Sequence, residues 1–188
     1  MRFRLVTQSI DMAAKRNQKL NKEQSFAEVE KVYDFGEKRS LKLNKDIVCI
    51  ANVENDKSIE LPVHRLILLL RCTEEILTAL RKRQGGEHVN YQQHIGGGWH
   101  VSVNTGFACV DIRRFYLPLF GLEPKPTKEG FAIRLREWIA FVRALRRLFA
   151  DNELLRQVVP CCDNHDSETV MLCNECCPYR EDMYDSAT

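Results

Sequence analysis

Five of the chain's eight cysteines fall between Cys161 and Cys177, and their spacing is the first chemistry the sequence offers. Cys162-Asp-Asn-His165 and Cys173-Asn-Glu-Cys176 each place two donors three residues apart, with seven residues between the pairs. Thiolate and imidazole at this spacing suit tetrahedral zinc, which in structural sites is closed by four such ligands. Cys161 and Cys177 adjoin the two pairs and could replace a neighbour. So short a segment has no core of its own, so a bound metal would supply its folding free energy. Free or redox-active thiols and disulfides are the alternatives. Eight cysteines in 188 residues are too dilute for a disulfide scaffold, and a reducing compartment is expected.

A second set of residues could hold a polyanion. Val110 and Ile112 alternate with Cys109, Asp111, Arg113 and Phe115, and Arg114 and Tyr116 follow where that strand would leave a sheet. Trp99, Val101 and Val103 alternate in the same way with His100, Ser102 and Asn104. A sheet face mixing guanidinium groups, hydroxyls and rings suits single-stranded nucleic acid, because cations follow the backbone while bases stack on rings. Core packing of Phe115 and Tyr116 beside merely solubilising arginines is the competing reading.

The elements that must carry these residues show in the hydrophobic period. Residues 1–30 read as a polar, basic N-terminal arm. From Tyr33 the period is two: 40–44 alternate, 47–50 form a β-branched run and 58–61 alternate again, with turn-rich residues between. From Pro62 the pattern is helical, with Leu66, Leu69, Leu70, Ile76, Leu77 and Leu80 at helical spacing. Strands then return from Trp99 to Arg113. Residues 121–130, with two prolines, read as a loop, 131–135 as a short strand, and a helix follows from Arg136 with Trp138, Ile139, Val142, Leu145 and Phe149 on one stripe.

This order is an internal repeat, strands and then a helix, stated twice. Matching Leu43-Asn44 with Val103-Asn104 sets Ile47-Val48-Cys49-Ile50 against Phe107-Ala108-Cys109-Val110, and Ser58-Ile59-Glu60-Leu61 against Ala132-Ile133-Arg134-Leu135. A half of this size buries little apolar surface alone, but two can share a core. The expected fold class is α+β: two ββββα-like units, residues 31–84 and 85–158, forming an intrachain pseudodimer, with a Cys-rich acidic tail over 159–188.

The stretch from His94 to Asn104 (His-Ile-Gly-Gly-Gly-Trp-His-Val-Ser-Val-Asn), then Phe107-Ala-Cys-Val-Asp-Ile-Arg-Arg-Phe-Tyr116, then Lys125-Pro-Thr-Lys-Glu-Gly-Phe-Ala-Ile-Arg-Leu135 and the Trp138 helix resembles the C-terminal domain of transcriptional positive cofactor four. The resemblance covers about residues 92–150; residues 33–84 match in outline only. That family comprises single-stranded-DNA-binding coactivators of RNA polymerase II, homodimers of four-stranded sheets with a helix each. It implies that Arg113 and Tyr116 fall on the family's Asp-Ile-Arg arginine and strand-end ring, so that Tyr116 stacks on bases. Lys125 and Lys128 fall on its basic loop and would contact phosphate. Glu129 stands where the family usually has another cation. The first half has Ala51-Asn52-Val53 in place of that motif, with Lys38, Arg39, Lys42 and Lys45 as its candidates, so one channel is expected to be degraded or repurposed.

Charge agrees with this division. Residues 151–188 hold nine acids against two arginines, leaving an excess of nine positive charges on the preceding 150 residues. A basic body gains affinity for phosphates by releasing their counterions, and the acidic tail could compete for it. No unbroken apolar run is longer than that from Leu66 to Leu70, far short of the roughly 20 residues of a membrane span, so no membrane partner is expected. The N-terminal residues have no apolar core of a secretory signal. There is no GxxxxGK[ST], nucleophile elbow or HExxH, so an enzyme is not expected. The sequence therefore leads to a nuclear single-stranded-DNA-binding protein, with transcription or replication proteins as further partners; a mitochondrial location is second. The alternative is a protein-interaction adaptor that docks its partner through a zinc-dependent tail.

Overall fold

The computed structural model describes residues 31–118, 123–166 and 168–177. The expected basic arm over residues 1–30 and the end of the tail lie outside them. Two four-stranded antiparallel meanders are present, each followed by helix. The first contains β1 (Val32–Gly36), β2 (Arg39–Asn44), β3 (Ile47–Asn52) and β4 (Lys57–Pro62), and leads into α1 (Val63–Arg71) and α2 (Thr73–Gln84). The second contains β5 (Asn90–Gly96), β6 (Trp99–Asn104), β7 (Cys109–Tyr116) and β8 (Lys125–Arg134), and leads into α3 (Leu135–Asp151). Two 3-10 turns, Glu153–Gln157 and Cys161–Asn164, and a short α4 (Thr169–Leu172) complete the described chain.

The repeat extends to the irregularities. The β1–β2 pairing slips between Asp34 and Gly36, and the β5–β6 pairing slips between His94 and Gly96, so the two bulges occupy equivalent places. The cross-strand register corrects the third and fourth strands of the sequence alignment by two residues. Val101 pairs with Ile112 as Leu41 pairs with Ile50, so Ile50 corresponds to Ile112, and Ile59 to Phe131. The cause is the 105–108 connection, two residues longer than the 45–46 turn. A two-residue slip preserves side-chain parity, so every residue stays on its expected face.

The halves interlock by exchanging helices. α3 packs on β1 and β2 of the first sheet, while α1 packs on β5 and α2 on β6 of the second. The apolar stripe of α3, Trp138, Phe141, Val142, Leu145 and Leu148, is thereby buried. Phe35 of β1 meets Phe141 edge-on at 5.1 Å and Phe131 of β8 at 6.5 Å. One continuous core runs from Tyr33 to Leu155 through both halves. Arg39 fastens the same seam: its Nη1 donates to the Ala132 carbonyl at 2.9 Å and lies 3.0 Å from Glu137, and its guanidinium sits over the Phe131 ring.

Two elements differ from the sequence reading. The helical stretch after Pro62 is broken at Cys72, where the Thr73 hydroxyl donates to the Leu70 carbonyl at 2.7 Å. Such back-bonding bends a helix without proline or glycine. The predicted loop before residue 131 is strand from Lys125 onward. Its Pro126 is tolerated because β8 ends its sheet, and among the described residues no strand pairs with its outer edge and needs an N–H there.

Candidate nucleic-acid interface and metal centre

In each sheet one side-chain parity feeds the core and the other faces away from the helices. On the second sheet Val101, Ile112 and Ile133 face inward and are fully buried. Outward, the register places His94 opposite His100, His100 opposite Arg113, and Ser102 opposite Asp111. Three rings line up on this side of the sheet: His100 lies 5.0 Å from His94 and 4.8 Å from Phe115, centroid to centroid. His100 is only 5% exposed, shielded by its neighbours. Its Nδ1 donates to the Gly98 carbonyl at 3.2 Å, and the same carbonyl accepts the Phe115 N–H at 2.8 Å. Burial, and then the proximity of His100, lowers the His94 pKa to about 4; burial lowers that of His100 as well. Both rings are therefore neutral near pH 7.

Arg113 lies beside this row and is held rigidly. Its Nε and Nη2 donate to the two Asp111 carboxylate oxygens at 2.7 and 3.1 Å, and its Nη1 donates to the Thr127 carbonyl at 2.8 Å. The Asp111 hydrogen bonds raise its pKa further. Gly130, directly opposite, makes this possible: a Cβ there would stand 2.9 Å from the Ile112 carbonyl oxygen and 3.0 Å from the Arg113 Cβ. Tyr116 ends β7 opposite Lys125, half-buried. Lys125 and Lys128 are exposed on β8.

The remaining predicted residues are dispersed. Arg114 pairs across the sheet with buried Trp99, so it takes the parity opposite to Arg113, and it lies 3.3 Å from Glu129. On the first sheet Ser40 and Ala51 stand in the places of His100 and Arg113, and Cys49 in that of Asp111. Lys42 is on that open face. Lys45 occupies the 45–46 turn at φ 56°, and Lys38 lies 3.7 Å from Glu54. Arg39 is committed to the seam between the halves. Among the described residues, only the second sheet therefore carries a ring and a guanidinium together on the side away from the helices. His94 was not among the sequence-based site residues, whereas the strand parity that selected His100 and Arg113 already places Phe115 on this face.

The cysteine cluster forms with one substitution. Cys161, His165, Cys173 and Cys176 offer ligand atoms all within 4.8 Å of one another and could hold a metal ion. Cys161 Sγ lies 2.9 Å from His165 Nε2 and 3.6 Å from Cys173 Sγ. The predicted ligand Cys162 is corrected to Cys161. The 3-10 turn over Cys161–Asn164 rotates Cys162 out of the cluster, where its thiol donates to Asp163 at 3.6 Å. Cys177 is buried, and its N–H donates to the Cys173 carbonyl at 2.9 Å. Burial disfavours the Cys173 thiolate, but the N–H groups of Cys176 and Glu175 outweigh it and bring the pKa to about 7. Burial and the neighbouring thiols of Cys173 and Cys161 push Cys176 up.

This knuckle sits against α1 and the β5–β6 turn. Arg65 donates from Nε and Nη2 to the two Glu175 carboxylate oxygens at 2.6 and 2.7 Å, and His64 Nε2 donates to the same carboxylate at 2.8 Å. Burial opposes the charge on Glu175, yet Arg65 and His64 prevail and hold its pKa at about 2. The Gly97 N–H donates to the Glu175 carbonyl at 2.8 Å. Gly96 and Gly97 have φ of 108° and 53°, and a Cβ on either would run into Glu175 or Arg65. The glycine run is thus the seat of the knuckle. Among the described residues no helix is long and apolar enough to cross a membrane. No family profile, curated protein or solved structure shows significant similarity to the chain.

Proposed function

We propose that this protein binds single-stranded DNA on the open face of its second sheet and performs no reaction on it. The observation that carries this reading is the half-buried Phe115 ring, packed on buried His100, on the same side of the sheet as the Arg113 guanidinium. Bases would stack on half-buried Phe115, while Arg113 and Lys128 meet the backbone on the same side of the sheet and Tyr116 and Lys125, of the opposite parity, flank the strand end. The first half, with Ser40, Cys49 and Ala51 in the corresponding places, completes the core and leaves the strand a single lane. The likeness to single-stranded-DNA-binding coactivators adds transcription as the setting and the nucleus as the location.

The cluster of three thiols and one imidazole favours zinc among the first-row metals, since soft thiolates in a closed tetrahedral set select it. A second reading, a protein-docking adaptor, draws on the exposed Met171 and Leu172 of α4, which form an apolar spot on the knuckle.

Fluorescence anisotropy with labelled oligo(dT) separates the two. Base stacking is worth roughly 1–3 kcal/mol per base, so Phe115→Ala should weaken binding about tenfold, and Phe115→Ala with Arg113→Ala by more. Equal affinity for duplex and single strand, or no effect of these changes, refutes the DNA reading and leaves the adaptor.

A further inference from the structure

Each ligand pair of the knuckle encloses one acid, and each acid reaches one arginine of α1. Asp163, between Cys161 and His165, accepts from both terminal nitrogens of Arg71, at 2.7 and 2.5 Å. Glu175, between Cys173 and Cys176, accepts from Arg65 as described. The arginines are six residues apart on one helix, a rise of about 9 Å. The distance between the acids is not fixed by any secondary structure, because it depends on how the two ligand pairs are held to one another.

We propose that a metal ion at Cys161, His165, Cys173 and Cys176 is a docking device: by joining the two pairs it sets Asp163 and Glu175 at the spacing of Arg71 and Arg65, so the knuckle seats as one bivalent unit. This rests on the metal reading given above. Without the ion, each acid is tethered separately, and exposed ion pairs between flexible partners hold little. Arg71 and Asp163 are 49% and 34% exposed at their side chains, so that contact depends most on its partner for persistence. Linking two weak contacts raises the effective concentration of the second once the first is made, which gains a factor of 10²–10⁴ without any new interaction.

Seating has a second consequence at the ring row. The knuckle fixes Gly97 through its N–H, and the next residue's carbonyl, Gly98, receives both the Phe115 N–H and the His100 ring. The metal thus sets the position of His100 and Phe115 from outside the sheet. When the knuckle leaves, the turn, with no Cβ to restrain it, loses its anchor, and the His64, Arg65 and Arg71 side chains of α1 are uncovered.

Hydrogen–deuterium exchange of the full chain, loaded with Zn(II) or stripped with a chelator, tests this at a site remote from the ligands. The Gly97 amide should exchange roughly a hundredfold faster in the stripped protein, while amides of β2 and β3 are unchanged. Glu175→Gln should show the fast Gly97 exchange even with metal bound. Co(II) substitution supplies the control: Glu175→Gln should keep the thiolate-to-cobalt charge-transfer band, because Glu175 is no ligand. If the wild-type chain gives no such band, the metal reading fails and this inference with it. If the band is present and Gly97 is equally protected with and without metal, the metal reading stands and the docking role is overturned.

Discussion

If the helices are exchanged, the two halves cannot unfold separately, and the two tryptophans can show it. Trp99 lies in β6 of the second sheet, while Trp138 lies on α3 over the first, and both are buried. The perturbation is Phe35→Ala on β1, far in sequence from either. Phe35 is 3% exposed and meets Phe141 and Phe131 edge-on. Truncating a buried phenylalanine costs about 3–5 kcal/mol, of which the aromatic contacts are part. With a urea dependence of about 2 kcal/mol per molar, a loss of about 4 kcal/mol lowers the midpoint by about 2 M. The assay is urea unfolding followed by fluorescence in Trp99→Phe and Trp138→Phe backgrounds, each with and without Phe35→Ala. Both probes should report one midpoint, and Phe35→Ala should move both equally. Separate midpoints, or a shift confined to the Trp138 signal, would refute helix exchange as the basis of a shared core.

Two further outcomes follow from the sites. The folded pKa of His94, about 4, lies below the ordinary 6.5, so folded protein takes up the proton later than unfolded chain. His94 therefore has no effect on stability above about pH 6.5, and stability is lost as pH falls from there toward 4. The loss reaches about 3 kcal/mol. His94→Phe should flatten the difference between urea midpoints at pH 7.5 and 4.5, and an unchanged slope would refute the assignment. At the knuckle, Cys161→Ser should abolish or strongly weaken the cobalt charge-transfer band and Cys162→Ser should leave it intact; the reverse result would restore Cys162 as ligand.

Most of the fold was legible because strand parity is robust. The alternation from Ser40 to Asn44 and from Val110 to Arg113 assigned faces that survived a two-residue error in aligning the halves. What the sequence concealed was decided by contacts distant along the chain or by fine backbone geometry. The break at Cys72 lacks the proline or glycine that would announce it. The start of β8 contains Pro126 and Gly130, which look like loop residues until the strand is seen at a sheet edge with Arg113 folded over the glycine. Choosing Cys161 over Cys162 turns on one rotation in a four-residue turn. The pairing of Arg65 with Glu175 spans 110 residues, and no local pattern marks it.

The exchanged helices also change the meaning of the connection between the halves. Residues 85–89 join α2 to β5, and among the described residues the halves are otherwise held by apolar packing, the Arg39 contacts and the knuckle's ion pairs to α1. The join is a tether, not a strut. A single proteolytic cut there would leave two polypeptides still clasped in one particle, visible as two bands after denaturation but as one species beforehand.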